Sequence, residues 1–342
     1  MSGKTNVGRF FEDYRLGEVI IHSVPRTLSG GERALYHALY PARHALQSSD
    51  DFARACGLPA APLDDLIPFH TVFGKTVPDI SLNAVANLGY AEGRFLRPVY
   101  PGETLRAVSE VIGLKENSNA KTGIVWVRTR GLSGDDCVLE YVRWVMVRKR
   151  DPEAPAPAST VPELSDAVAA ADLVVPEGLS FAGYDFALAG EPHRWGDYAV
   201  GERIDHVDGV TVEEAEHMMA TRLWQNTAKV HFDATVRPDG SRLIYGGHVI
   251  SLARALSFNG LANAQMIVAI NAGAHAHPCL AGDTLRAWSE VLDKSETAVP
   301  GIGALRIRLV ATKGAPFDFR DADGKYLPEV LLDLDHWVLI PV

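Results

Sequence analysis

The sequence repeats itself. Residues 98–111 read PVYPGETLRAVSEV and residues 278–291 read PCLAGDTLRAWSEV, nine identities in 14 positions at an offset of 180. The segments Asp13-Tyr14-Arg15-Leu16-Gly17-Glu18 and Asp197-Tyr198-Ala199-Val200-Gly201-Glu202 correspond at an offset of 184. A candidate capping box follows each, Ser29-x-x-Glu32 and Thr211-x-x-Glu214. Each copy ends on a strand bearing a tryptophan, Trp144 in one and Trp337 in the other. A repeat of this length makes two similar units of about 150 residues, an ordinary domain size. The first unit is expected over residues 1–150 and the second over residues 181–342. Residues 151–180 form a Pro- and Ala-rich linker, extended over 151–162 (DPEAPAPASTVP), with a helical turn at 167–171. Residues 315–329 look like an insertion that delays the second tryptophan strand.

Composition narrows the class. With 33 basic against 43 acidic residues the net charge is −10, and 47% of the chain is hydrophobic. Such a chain packs a core, so disorder, collagen-like repeats and a disulfide scaffold are excluded. The acidic balance argues against nucleic acid as a partner. No apolar run approaches the roughly 18 residues of a membrane span, and residues 1–9 lack an apolar signal core. Cys56, Cys137 and Cys279 lie far apart with no CxxC pair, which points to a reducing, cytoplasmic setting and no thiolate metal site.

Within each copy the order is the same: a short strand, a helix, a loop, an apolar helix, then long strands. Strands are expected at 104–114, 123–130 and 138–148, and again at 284–292, 304–312 and 330–340. They follow one another without intervening helices, which implies an antiparallel sheet. The apolar stretch 249–270 has little polar surface and reads as a helix wrapped by that sheet. This α+β arrangement, an antiparallel sheet around one central helix, is the hotdog fold, here in tandem as a double hotdog. The two copies supply each other's pairing, so a homo-oligomer is possible but not required.

Chemistry concentrates in the second copy. The run Trp224-Gln225-Asn226-Thr227-Ala228-Lys229-Val230-His231-Phe232-Asp233 precedes Tyr245-Gly246-Gly247-His248, which opens the apolar helix. The first N–H groups of a helix are unpaired and lie at its positive end, so Gly246 and Gly247 could form an oxyanion hole. His248, at the same helix start, could contact substrate. In the first copy His231 corresponds to Gln47 and Asn226 to Ala42, and Pro68 interrupts the donors. One site per chain, in the second copy, is expected. His275 and His277 form an HxH pair that reads as a loop, with no carboxylate or Cys spaced to complete a metal site.

These residues resemble the MaoC-like, (R)-specific enoyl-CoA hydratase family. Its signature places an Asp, then Asn-Pro, then His and Asp before a helix-opening Gly. Here those positions hold Asn226, Ala228-Lys229, His231, Asp233 and Gly247. The catalytic Asp of the family is thus an Asn. A narrower likeness, to the mesaconyl-CoA hydratase branch, runs along residues 226–233, 245–254 and 257–260. The resemblance implies reversible hydration of a CoA thioester, without metal or cofactor. It implies His231 as acid–base, with Asn226 orienting water or Asp233 taking the carboxylate's role. Mesaconyl-CoA carries a free carboxylate, for which Arg222 and Arg254 are candidate anchors. A hotdog thioesterase and a non-catalytic acyl-CoA-binding protein are the alternatives.

Overall fold

The structure, a computed structural model, describes residues 3–314 and 317–342. Met1 and Ser2 of the polar N-terminus, and Ala315 and Pro316 of the expected insertion, lie outside the described residues. The strands are β1 (Val19–Thr27), β2 (Ala84–Phe95), β3 (Thr104–Glu116), β4 (Thr122–Ser133), β5 (Asp136–Arg148), β6 (Arg203–Thr211), β7 (Met266–His275), β8 (Thr284–Glu296), β9 (Ile302–Thr312) and β10 (Val330–Pro341). They form one continuous sheet in the order β1-β3-β4-β5-β2-β7-β10-β9-β8-β6. Every ladder is antiparallel. The order reads as two five-stranded halves joined back to back at β2 and β7, where Tyr90 faces Gly273 and Arg94 faces Ala269.

Each half encloses one apolar helix. All residues of Leu66–Thr76 are buried, and Pro68 falls in its first turn, where the missing N–H is tolerated. From Gly247 onward every residue of Gly246–Leu256 is buried as well. The first helix packs on β3 and β4, the second on β8, β9 and β10. The two helices also meet, His70 Nε2 lying 2.8 Å from Ser251 Oγ, so one core runs through both halves.

Two expectations change. The stretch 249–270 is not one helix. Helical geometry fails at Asn259 (ψ 100°) and Gly260 (φ +98°), and residues from Met266 onward are strand β7. β7 is buried on both faces along most of its length, so it lacks the polar alternation that would separate it from a buried helix. The second capping box does not form. Thr211 ends β6, its hydroxyl bonded to Thr284, and Glu213 takes the cap position without a side-chain bond. The first forms, with Ser29 Oγ accepting from Gly31 N and Glu32 returning to Ser29 N.

The segment between the halves, expected to be extended over 151–162, instead opens on a turn closed by Ala154 N donating to Asp151 O, then runs extended to pair with β3 at Thr160, and makes a 3₁₀ turn at Ala170–Asp172. Beyond that it is more than a spacer. Val168, Leu179, Phe181 and Tyr184 are buried against the short helices Ala45–Ser48 and Asp50–Ala55 and against Met266, Val268 and Trp337. Trp337 Nε1 donates to Val168 O at 3.1 Å. Residues 317–329 fold over Trp288 through Phe319, Tyr326 and Leu327.

Candidate active site

The segment before the second central helix is shaped by one close approach. The helix Glu214–Leu223 ends at Trp224, and Gln225 turns the chain at φ +55°. Trp224 O lies where a Cβ on Gly74 would stand, at 1.7 Å, so only glycine in the first central helix lets this turn come in. Asn226 is thereby carried inward and buried. Its Oδ1 accepts from Ala228 N at 3.2 Å. That bond engages the amide oxygen, so what the side chain has left to offer includes its NH₂, a donor only. The short helix Lys229–Phe232 follows and presents His231.

His231 has a defined tautomer. Its Nδ1 lies 2.7 Å from Leu243 O, and a carbonyl only accepts, so Nδ1 carries the proton and Nε2 keeps a free lone pair. Burial pushes its pKa below the usual histidine value, a shift that the Leu243 bond partly opposes. Neighbouring histidines are held neutral more firmly. Burial takes His275 to about 4, with the nearby His231 adding to it, and takes His217 to about 3, with His248 adding.

At the helix start, His217 Nε2 accepts from Tyr245 N at 2.9 Å. His248 N and Val249 N both turn onto Tyr245 O. The N–H groups of Gly246 and Gly247 are left without a backbone partner among the described residues. A Cβ on Gly246 would stand 2.4 Å from the His275 ring.

His231, Asn226 and Gly246 share the wall of a cavity of about 520 Å³ between the halves. Across from them stand Phe73, Tyr90 and Arg143 of the first half. Among the described residues its wall holds no Asp or Glu.

The other expected site residues lie elsewhere. Asp233 is exposed, its Oδ1 bound to Thr235 N and Oγ1, so it shapes the loop and does not reach the cavity. Gly247 is buried behind the Tyr245 ring, one residue deeper than the cavity wall. His248 is fully buried against Tyr40, its Nδ1 at 3.0 Å from Tyr40 Oη. Arg222 is exposed on the outer surface. Arg254 is buried near the far end of its helix, bonded to Ala264 O and Ser257 Oγ. His275 and His277 do line the cavity, His275 Nε2 lying 3.3 Å from Tyr90 Oη and His277 Nδ1 3.0 Å from Val330 O. Among the described residues no cluster of His, Cys, Asp or Glu is arranged to hold a metal. The corresponding place in the first half is closed. Gln47, where His231 would stand, is bonded to Asp65 at 2.8 Å, and Phe181 and Tyr184, just past the linker, pack in one cluster with the neighbouring Ala45 and Leu46.

Known proteins share this architecture. A family model described as mesaconyl-CoA hydratase matches residues 2–316. A mesaconyl-CoA hydratase from Cereibacter sphaeroides is 80% identical over 341 residues, 99% of each chain. A β-methylmalyl-CoA dehydratase from Chloroflexus aurantiacus is 60% identical, covering 100% of this chain and 99% of its own. The crystal structure of a MaoC domain dehydratase from Chloroflexus aurantiacus superposes with a TM-score of 0.96 at 60% identity, over 99% of both chains. A double-hotdog protein from Mycobacterium tuberculosis gives a TM-score of 0.77 at 26% identity, over 97% of this chain and 98% of its own. Fold and sequence agree, and the chain belongs to the mesaconyl-CoA hydratase family.

Proposed function

We propose that the chain reversibly hydrates mesaconyl-CoA to β-methylmalyl-CoA at one site per chain, in the cavity faced by His231. The observation that carries the mechanism is the absence of any carboxylate from the described cavity wall. With no Asp or Glu there, a histidine of the wall exchanges the protons, and His231, presented by the same segment as Asn226, is assigned that role. Its neutral Nε2 takes a proton from water, and the hydroxyl adds to the β-carbon of the enoyl thioester. Asn226 Nδ2 donates to the water oxygen and sets its line of approach. Negative charge moves onto the thioester oxygen, where the N–H of Gly246, the glycine in the cavity wall, receives it. The imidazolium then delivers the proton to the α-carbon. One group serving both steps places hydroxyl and hydrogen on the same face. Dehydration is the reverse. The CoA portion, with its phosphates, lies toward the rim, where Arg148 and Lys229 are exposed.

Incubation with mesaconyl-CoA tests the reading. The expected product is heavier by one water, with loss of the enoyl-thioester absorbance and no free thiol. Release of thiol would mean thioester hydrolysis, and tight binding without turnover would mean a non-catalytic binder. The buried or half-buried free cysteines fit a reducing cytoplasm. Among the described residues no helix is long and apolar enough to cross a membrane.

A further inference from the structure

Arg143 lies mid-strand in β5 with no exposed surface. Its Nη1 donates to Ser81 Oγ at 2.9 Å and its Nη2 to Thr76 Oγ1 at 2.7 Å. Its Nε has no partner, and the Phe73 ring lies 4.3 Å from Cζ. No carboxylate reaches it within ion-pair distance among the described residues. Two half-buried arginines of β9 differ. Arg306 and Arg308 are paired with Asp335 and Asp333. A buried cation without a counter-ion is costly unless an anion arrives with a ligand. Arg143 stands in the wall of the same acid-free cavity as His231.

We propose that Arg143 is the residue that selects the substrate by binding the free carboxylate of the mesaconyl group. This assignment rests on the hydration reading given above. Two hydroxyls orient the guanidinium, and its remaining N–H donors form the planar fork that fits a carboxylate. In mesaconyl-CoA the carboxylate is attached to the β-carbon that receives the hydroxyl. Gripping it fixes that carbon relative to His231 Nε2. The first half then supplies specificity and the second half the chemistry. The counterpart of Arg143 in β10, beside Trp337 as Arg143 is beside Trp144, is His336. It is buried, and burial keeps it neutral, with a pKa of about 3, so the second copy has no equivalent anchor.

The test compares mesaconyl-CoA with 2-methylcrotonyl-CoA, in which a methyl group replaces the carboxylate. Arg143→Met should lower the ratio of the two kcat/KM values by about 10² or more, as when a site built for a polar group loses its partner. Arg143→Lys keeps the charge without the fork and should lower the ratio about tenfold. Where 2-methylcrotonyl-CoA turns over too slowly, calorimetric Kd values for the two thioesters supply the same ratio. An unchanged ratio, including an equal fall on both substrates, overturns the assignment. Should the Met variant fail to fold by circular dichroism, the Lys variant decides on the same ratio. A parent enzyme that does not hydrate mesaconyl-CoA would instead overturn the functional reading itself.

Discussion

In the proposed mechanism His231 is prepared by Leu243, whose carbonyl holds the ring proton on Nδ1 and leaves Nε2 as the base. A base of this kind works when neutral, and burial lowers its pKa. The acidic limb of the kcat/KM–pH profile should therefore lie below about 6.5, the ordinary histidine value. Asn226→Asp adds a negative charge beside the imidazole, favours the imidazolium and raises the pKa. The acidic limb should move to higher pH and turnover of mesaconyl-CoA should fall; an unmoved limb with full activity would remove Asn226 from the mechanism. Asn226 and His231, both in one short segment and both lining the cavity, were named from the sequence. Arg143 was not. It sits in β5 among buried apolar residues and joins the site only through the pairing of the two halves. Its signal was a charged residue in the alternating series Leu139, Tyr141, Val145, Val147. Arg254 was named for nearness in sequence, yet eight residues along a helix carry it roughly 12 Å from Gly246.

Among the elements, the first central helix places the site most directly. Gly74→Ala puts a methyl group into Trp224 O and displaces the turn that carries Asn226. The expected result is a loss of turnover on the order of 10², with a stability cost of about 1–3 kcal/mol, read by kinetics beside thermal melting. The residue before that helix, Asp65, ties the halves together by accepting from Gln47 Nε2 and Ile267 N, both at 2.8 Å. Burial, reinforced by the charge of Asp64, raises its pKa to about 8. A carboxyl whose folded pKa is raised stabilises fully below its unfolded value near 4, and that contribution is lost as pH rises toward 8. Asp65→Asn keeps an oxygen acceptor and cannot ionise. Its Tm advantage over the parent should grow between pH 5 and 8 and then level off; a constant difference would contradict the shift. The six strands read from the sequence all form, with ends moved by a few residues. β2 and β7 escaped because one is interrupted by Gly89 and Gly93 and the other reads as helix continuing past Gly260. Those two strands are the junction of the sheet.

For the whole molecule, the internal repeat makes two sites geometrically available, and the chemistry is proposed for one. Phe181 and Tyr184 pack in one cluster with Ala45 and Leu46, next to Gln47 in the chain. Phe181→Ala should lower Tm, the loss of a buried ring costing up to about 3–5 kcal/mol, without adding turnover, since Gln47 and His336 cannot replace His231 and Arg143. The repeat itself was plain in the sequence. The packing of Phe181 and Tyr184 was not, because apolar residues scattered through a Pro- and Ala-rich segment carry no periodicity that shows where they dock. The most direct test of a single site run by a single acid–base group is kcat of folded His231→Ala on mesaconyl-CoA. The account predicts a fall of about 10² to 10⁴. Retention of the parental rate within a fewfold would contradict the account, since turnover would then need neither His231 nor the single site it serves.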